Sequence, residues 1–281
     1  MHVQRLAAFS TGGIGGNPAG VVLGATLPAA AEMQAVAAEI GYSETVFAAY
    51  AEDVWRARYF SPEIEVPFCG HATLALGAAL ALAHGDGIFA LQLNTARITV
   101  EGWRDGTLLR AALQSPATRS APAPVDLTAA ALALFGYTET DLDARLPPAI
   151  AEAGARHLVL CLSSRERLAA MRYDLPAGRE LMTRAGIVTI SLIHAATETL
   201  FHARNPFAAG GIYEDPATGA AAAALAGYLR DIGWPHGHAI DIVQGEDMGM
   251  PSHLHADIGP LIGQSIRVSG TARSLPLNAR T

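Results

Sequence analysis

The chain has 281 residues, of which 51% are hydrophobic and only 16% charged, a balance that suits one large or two ordinary buried cores and excludes disorder. Its formal charge of −7, with the basic residues scattered along the chain, argues against a nucleic-acid surface, so nucleic acid is not an expected partner. All 19 basic residues are Arg; without a single Lys, side-chain Schiff-base catalysis, lysine-anchored pyridoxal phosphate and a Walker A loop are excluded.

Strand-like and helix-like segments alternate, with Gly and Pro clusters between them, which predicts mixed α and β structure. A strand over Val3–Phe9, a glycine-rich loop over Thr11–Gly16 and a strand over Gly20–Leu23 lead to a helix over Ala29–Ile40. Strands over Thr45–Tyr50 and Val54–Phe60 precede a small-residue-rich apolar helix over His71–Ala83, and strands over Phe89–Val100 and Leu108–Gln114 follow. Ser115–Pro124 is rich in Pro and Ser and lacks periodicity, so it reads as a linker. Beyond it come helices over Ala129–Phe135, Arg165–Met171, Gly178–Ala185 and Ala220–Ile232. Strands are expected over His157–Leu162, Ile187–Ile193, Thr199–Arg204, Ile240–Gln244, His253–Ile258 and Ile266–Ser269. This order places one domain at 1–117, completed by a returning strand at about 266–281, and a second at 125–265.

Two cysteines, Cys69 and Cys161, are too few for a disulfide framework or a cysteine-built zinc site, which points to a reducing compartment. Val3–Phe9 follows the first residues directly with no basic and apolar leader pattern, and the apolar runs stop short of a membrane span. A cytoplasmic protein that engages no membrane is expected.

Glu65, Pro67 and Gly70 recur as Glu214, Pro216 and Gly219, each 149 residues on (65 to 214, 67 to 216, 70 to 219), and both sets run into an Ala-rich helix. In each half a Pro-containing turn and a Gly thus lead into a helix start. Such a start carries unpaired N–H groups and the positive end of the macrodipole, and so favours an anion. Ala-rich sequence also produces chance matches, and a Gly ahead of a helix is commonly only a turn.

Four segments resemble the phenazine-biosynthesis (PhzF-like) family: Gly16-Asn17-Pro18-Ala19-Gly20-Val21-Val22, Ser43-Glu44-Thr45-Val46-Phe47, Val66-Pro67-Phe68-Cys69-Gly70-His71-Ala72-Thr73 and Glu214-Asp215-Pro216-Ala217-Thr218-Gly219. Gln244–Ser252 is a looser fifth match. The resemblance implies an α+β fold of two pseudo-symmetric diaminopimelate epimerase-like domains, each a β-barrel-like sheet around a central helix, with the active site in the cleft between them. It also implies a homodimer and a cofactor-independent isomerase that moves a proton within a small, cyclic or enamine-like carboxylate. Glu44 matches the family's proton carrier, and His71 and Asp215 match its supporting residues. Asn17, Cys69, Gly70, Thr218, Gly219 and Ala220 are the expected substrate-binding positions. Ala220 stands where the family has a serine, and Met250 where members often have Arg. Both changes remove partners for an acidic substrate.

The chemistry favours the same residue types independently. Moving a proton between carbons asks for one carboxyl group tuned near the working pH, and an apolar setting provides that tuning. Glu44, next to Tyr42 and Val46-Phe47, suits the task, although an acid at a strand start can be merely exposed. His71, in the first turn of a helix, is favoured in its neutral form, though it could equally be a cap. Asp215, held extended by Pro216, could accept a hydrogen bond from substrate or simply initiate a turn.

Other readings stay open. A racemase, epimerase or dehydratase could use Cys69, but the repeat places Thr218 opposite it, a far weaker acid and base than a second thiol. Zinc could sit at His236 and His238 or at His253 and His255, near Asp241 and Asp257, yet neither pair has the third ligand of a catalytic site, so no metal is expected. Gly13-Ile14-Gly15-Gly16-Asn17-Pro18 fails as a dinucleotide fingerprint because Pro18 stands where the third glycine belongs. An inactive ligand-binding protein on the same scaffold is the remaining alternative.

Overall fold

The computed structural model describes residues 1–276; Leu277 and the rest of the expected returning segment lie outside the described residues. The first stretch holds β1 (Gln4–Ser10), β2 (Asn17–Gly24), α1 (Ala30–Ile40), β3 (Glu44–Ala51), β4 (Val54–Phe60), β5 (Glu65–Val66), α2 (Gly70–His84), β6 (Gly87–Gln92), β7 (Arg97–Asp105) and β8 (Leu108–Gln114). The second holds β9 (Arg119–Pro122), α3 (Val125–Phe135), β10 (Ala149–Glu152), β11 (Arg156–Cys161), α4 (Arg165–Ala169), α5 (Leu175–Ala185), β12 (Thr189–Ala195), β13 (Leu200–Phe207), β14 (Ile212–Asp215), α6 (Gly219–Asp231), β15 (Ala239–Gln244) and β16 (Ser252–Asp257). A final strand, β17 (Arg267–Ser274), closes the described chain. Two compact units result: residues 1–114 with 269–276, and Ser115–Val268.

In the first unit the strands close on themselves. β1 pairs antiparallel with β2, β2 parallel with β3, β3 antiparallel with β4, β4 parallel with β6, and β6 antiparallel with β7, which pairs antiparallel with β8. β17 then bridges β8 and β1, completing the barrel. Inside runs α2, whose residues from His71 to Ala81 are all buried. A helix that is apolar all round must be enclosed on every side, and its Ala and Gly content lets strands come close. A Cβ on Gly102 would lie 2.1 Å from the Gly77 carbonyl oxygen, and one on Gly77 would lie 2.5 Å from Val100 Cγ2. Gly102→Ala is therefore expected to cost about 3 kcal/mol, the upper end for overpacking, because the obstacle is backbone. A urea titration of the variant checks this.

The second unit repeats the pairing scheme. β10 with β11, β11 with β12, β12 with β13, β13 with β15, and β15 with β16 are antiparallel, parallel, antiparallel, parallel and antiparallel in turn. Its enclosed helix is α6, with Ala221 to Arg230 buried. α3, α4 and α5 add a second core, in which Leu132, Leu168 and Met182 pack against Leu158, Leu160 and Leu192.

The elements differ from expectation in instructive places. Phe89–Val100 is two strands, because Leu93 N–H donates to Ala96 O and reverses the chain through Asn94-Thr95, a turn without Gly or Pro. Arg119–Pro122, read as linker, pairs as β9 with β10. Pro122 closes that short strand, a place where a missing N–H is tolerated. α5 starts at Leu175 rather than Gly178 because Asp174 caps it, accepting from Ala177 N–H at 2.9 Å, with Pro176 in the first turn.

His157 on β11 is fully buried; its Nδ1 lies 2.8 Å from Thr189 Oγ1 on β12, and its Nε2 meets no hydrogen-bond partner among the described residues. Burial pushes its pKa down to about 4. The unfolded chain therefore binds the proton more readily between about pH 6.5 and 4. The stability that neutral His157 contributes is complete above that window and is lost as the pH falls through it, by about 3 kcal/mol. Chemical denaturation at pH 7 and pH 4.5 should reveal this slope, and His157→Leu should flatten it.

Candidate functional site

The first unit carries five of the expected residues and gathers the side chains of three, Glu44, Cys69 and His71. Glu44 opens β3, and the parallel register sets it beside Ala19 of β2. Asn17, buried at the start of β2, lies two residues before Ala19 and so shares its face of the sheet. Cys69 is the extended N-cap residue of α2, and Gly70 and His71 are the first two residues of the helix. His71 Nε2 lies 3.4 Å from Glu44 Oε2. Their side chains are 7% and 17% exposed, so the carboxylate is mostly sheltered yet within reach of solvent. Cys69 Sγ lies beside the ring, 3.3 Å from Nδ1 and 3.9 Å from Nε2. When Nε2–H is donated toward Glu44, Nδ1 is left to accept the thiol proton, so the imidazole connects the acid to the thiol.

A buried scaffold holds this cluster. Tyr59 and Thr73 hydroxyls lie 2.8 Å apart, and the Thr73 hydroxyl donates to the Cys69 carbonyl at 2.7 Å, fixing the turn ahead of α2. Ser43 Oγ lies 3.4 Å from His71 Nε2, a neighbour that its adjacency to Glu44 makes readable only once the strand is placed.

In the second unit the equivalent turn carries Asp215 at the end of β14 and Thr218 as the N-cap residue of α6. The Thr218 hydroxyl donates to Asp215 Oδ2 at 2.6 Å. Gln244, 1% exposed at the end of β15, ties both down. Its Nε2 donates to the Asp215 carbonyl at 2.7 Å, and its Oε1 accepts from Thr218 N–H at 3.2 Å. From sequence Gln244 was named only as the first residue of the looser fifth family match and was given no role; its place at the end of a strand immediately before Gly245 was the other available signal. Gly245, at φ +77°, lets the following loop fold back: a Cβ there would lie 2.3 Å from the Met250 carbonyl oxygen and 2.8 Å from that of Pro216. Gly219 and Ala220 are the first residues of α6; with Ala220 there is no hydroxyl beside Thr218.

One feature repeats in both units beyond the motifs themselves. Arg58 of β4 donates through Nε and Nη2 to the two carboxylate oxygens of Glu65, and Arg204 of β13 grips Glu214 through the same two nitrogens. Arg58 stands two residues before Phe60, the register partner of Glu65, and Arg204 two before Pro206, the partner of Glu214. Each turn that presents a helix start is thus pinned by a bidentate ion pair.

Metal-compatible donors also assemble, though not at the histidine pairs considered from sequence. His236 and His238 occupy the turn before β15, their rings 6.2 Å apart, and His236 Nδ1 accepts from the His238 N–H. His255 is engaged by Asp241 at 2.9 Å and Asp257 at 3.2 Å, and His253 by Asp241 at 3.3 Å. Instead, one ligand atom each from Glu44, Cys69 and His71 all lie within 4.8 Å of one another.

The family described as phenazine biosynthesis-like protein matches residues 6–275. The chain belongs to this family. It is similar to an uncharacterized isomerase of Deinococcus radiodurans, 34% identical over 90% of this chain and 85% of that protein. It is also similar to the trans-2,3-dihydro-3-hydroxyanthranilate isomerase of Pseudomonas chlororaphis, 30% identical over 91% of this chain and 89% of that protein. Among solved structures it resembles a predicted epimerase of Pseudomonas aeruginosa, with a TM-score of 0.83, 26% identity, and 98% and 96% of the two chains covered. The chain is an isomerase of this family, and its two helix-centred sheets are the epimerase-like halves that the motifs implied. Among the described residues, no helix is long and apolar enough to cross a membrane.

Proposed function

We propose that the protein moves a proton between two carbons of a small, cyclic or enamine-like carboxylate without a cofactor, with Glu44 as the proton carrier. The Glu44 carboxylate takes a proton from a substrate C–H, the bonding pair enters the conjugated system of the substrate, and the resulting carboxylic acid protonates a second carbon. His71 holds the carboxylate in position by hydrogen bonding. The observation carrying this reading is the sheltered contact between Glu44 and His71, 3.4 Å long, at the start of an enclosed helix. Asp215, with Thr218 and Gln244 fixing it, is assigned to receiving a substrate hydroxyl or amine. Gly70, Gly219 and Ala220 are assigned backbone N–H contacts to the substrate carboxylate, and Asn17 an amide contact. Because Ala220 lacks a hydroxyl and Met250 a charge, the substrate is less acidic than the dihydro-hydroxyanthranilate isomerised by the Pseudomonas chlororaphis relative.

The test is solvent-hydrogen exchange. Small cyclic amino acids and enamine-like carboxylates are incubated with the protein in heavy water, and deuterium at carbon is read by NMR. Incorporation at two different carbons of one compound supports the reading; incorporation only at a single stereocentre with inversion sinks it.

That second outcome describes a thiol-based racemase or epimerase, which the 3.3 Å contact between Cys69 and His71 favours. Against it, the Thr218 hydroxyl, the counterpart of that thiol in the repeat, is already donated to Asp215. A cytoplasmic homodimer is part of the proposal, and sedimentation velocity at micromolar concentration tests the dimer.

A further inference from the structure

We infer that Glu44, Cys69 and His71 form a binding site for a thiophilic divalent cation, Zn²⁺ above all, and that its occupation switches the enzyme off. The second part rests on the proposed role of Glu44; the first does not. Among the described residues, this is the one group of three such donors whose ligand atoms all lie within 4.8 Å of one another. His71 Nε2 is 3.4 Å from Glu44 Oε2 and 3.9 Å from Cys69 Sγ. Tetrahedral zinc, with bonds of about 2.0–2.3 Å, spaces its donors roughly 3.3–3.7 Å apart. The observed spacings lie close to that range, and rotation of the Cys69 and His71 side chains brings the three donors onto one ion.

The donor types agree with that geometry. A thiolate, an imidazole and a carboxylate suit zinc better than magnesium or calcium, which take oxygen donors. Three protein ligands leave the fourth position to water, so the site can fill from solution and empty again. Entry is open because Cys69 is only partly buried and Glu44 keeps some exposure. The backbone is rigid: Cys69 and His71 flank the first turn of an enclosed helix, the Cys69 carbonyl is held by Thr73, and Glu44 starts a strand paired on both sides. Binding releases the thiol proton to solvent. The bound ion occupies the carboxylate oxygen that would accept the substrate proton and the imidazole nitrogen that steadies it.

Cobalt(II) is the reporting probe, since a thiolate ligand gives a charge-transfer band in the near ultraviolet and tetrahedral coordination gives strong visible bands. Chelator-treated protein titrated with Co²⁺ should take up one ion per chain with both signatures, and Zn²⁺ should abolish them by displacement. The thiolate band can come only from Cys69: Cys161 is 1% exposed, and burial pushes its thiol up to about 12. Cys69→Ser should remove the charge-transfer band and weaken Zn²⁺ binding about 100-fold. His71→Asn should weaken it to a similar degree, and His253→Asn combined with His255→Asn should leave it unchanged. Far-UV circular dichroism of each variant confirms that it folds.

A thiolate band that survives in Cys69→Ser, the absence of any such band in the parent protein, or loss of binding in the His253/His255 variant overturns the assignment. If cobalt binds as described but Zn²⁺ leaves deuterium exchange untouched, the site stands and the switch falls. If Glu44→Gln retains exchange while the cobalt spectrum is as expected, it is the proton-carrier reading that fails, so the two can be told apart.

Discussion

Glu44→Gln is expected to lower turnover about 10³-fold and to abolish deuterium wash-in, with little change in KM or in unfolding midpoint. Glutamine keeps the side-chain length, and its amide oxygen can still accept from His71 Nε2–H across the 3.4 Å contact, so the local structure survives. What disappears is a group able to take a proton at neutral pH and give it back. The effect therefore falls on the chemical step and not on binding, which separates it from a merely structural role. Glu44→Asp, which withdraws the carboxylate by one methylene, should retain chemistry at a level about 10²-fold below the parent, because acid–base catalysis tolerates little misplacement. Cys69→Ser is the control, since it leaves the carboxylate in place and should keep more than about a tenth of parental turnover. Loss of turnover in Cys69→Ser together with its retention in Glu44→Gln would transfer the chemistry to the thiol and sink the carboxylate mechanism.

How far the sequence could go depends on the range over which each feature is encoded. α2 was legible because a run of Ala and Leu that is apolar on every face suits an enclosed position, while the barrel around it was implied only by the family resemblance. Glu44, Cys69 and His71 were each nameable from local motifs, but that they share one site was implied only by the family resemblance. Glu44 is brought to the helix start by the parallel pairing of β2 with β3, a long-range choice that no local pattern states. The donor triangle escaped notice for that reason, while histidine pairs two residues apart drew attention through spacing alone. The role of Gln244, named only within the looser fifth match, was missed because a strand-ending glutamine looks ordinary until its amide is found spanning the Asp215–Thr218 turn. The buttressing arginines escaped the repeat search for a different reason. Arg58 and Arg204 are separated by 146 residues (58 to 204), whereas the motif glutamates they hold are separated by 149 (65 to 214), because the second turn is longer and includes the 3₁₀ turn Ala208–Gly210. A fixed offset cannot see through such an insertion, but the strand registers can.

Those two ion pairs make the same bond in different surroundings, and the difference should be measurable. Arg204 and Glu214 are 5% and 3% exposed, and a further guanidinium nitrogen of Arg204 donates to the Ala169 carbonyl at 2.8 Å. Arg204→Met strands the Glu214 carboxylate in the interior and is expected to cost about 3–5 kcal/mol. Arg58 and Glu65 are 22% and 27% exposed, so water can replace the lost partner, and Arg58→Met should cost about 1 kcal/mol or less. The double replacement Arg204→Met with Glu214→Leu should regain most of the loss, since a buried ion pair exchanged for apolar groups of similar volume is often neutral. Guanidinium chloride titrations of the three variants give the comparison, and equal costs for Arg204→Met and Arg58→Met would refute burial as the deciding variable. The double variant also separates stability from function. Glu214 adjoins Asp215, and the Arg204 grip helps to fix the turn from which Asp215 and Thr218 project. A protein restored in stability but with KM raised for its substrate would locate the purpose of the buried charges in holding that turn, where an apolar pair supplies packing without orientation.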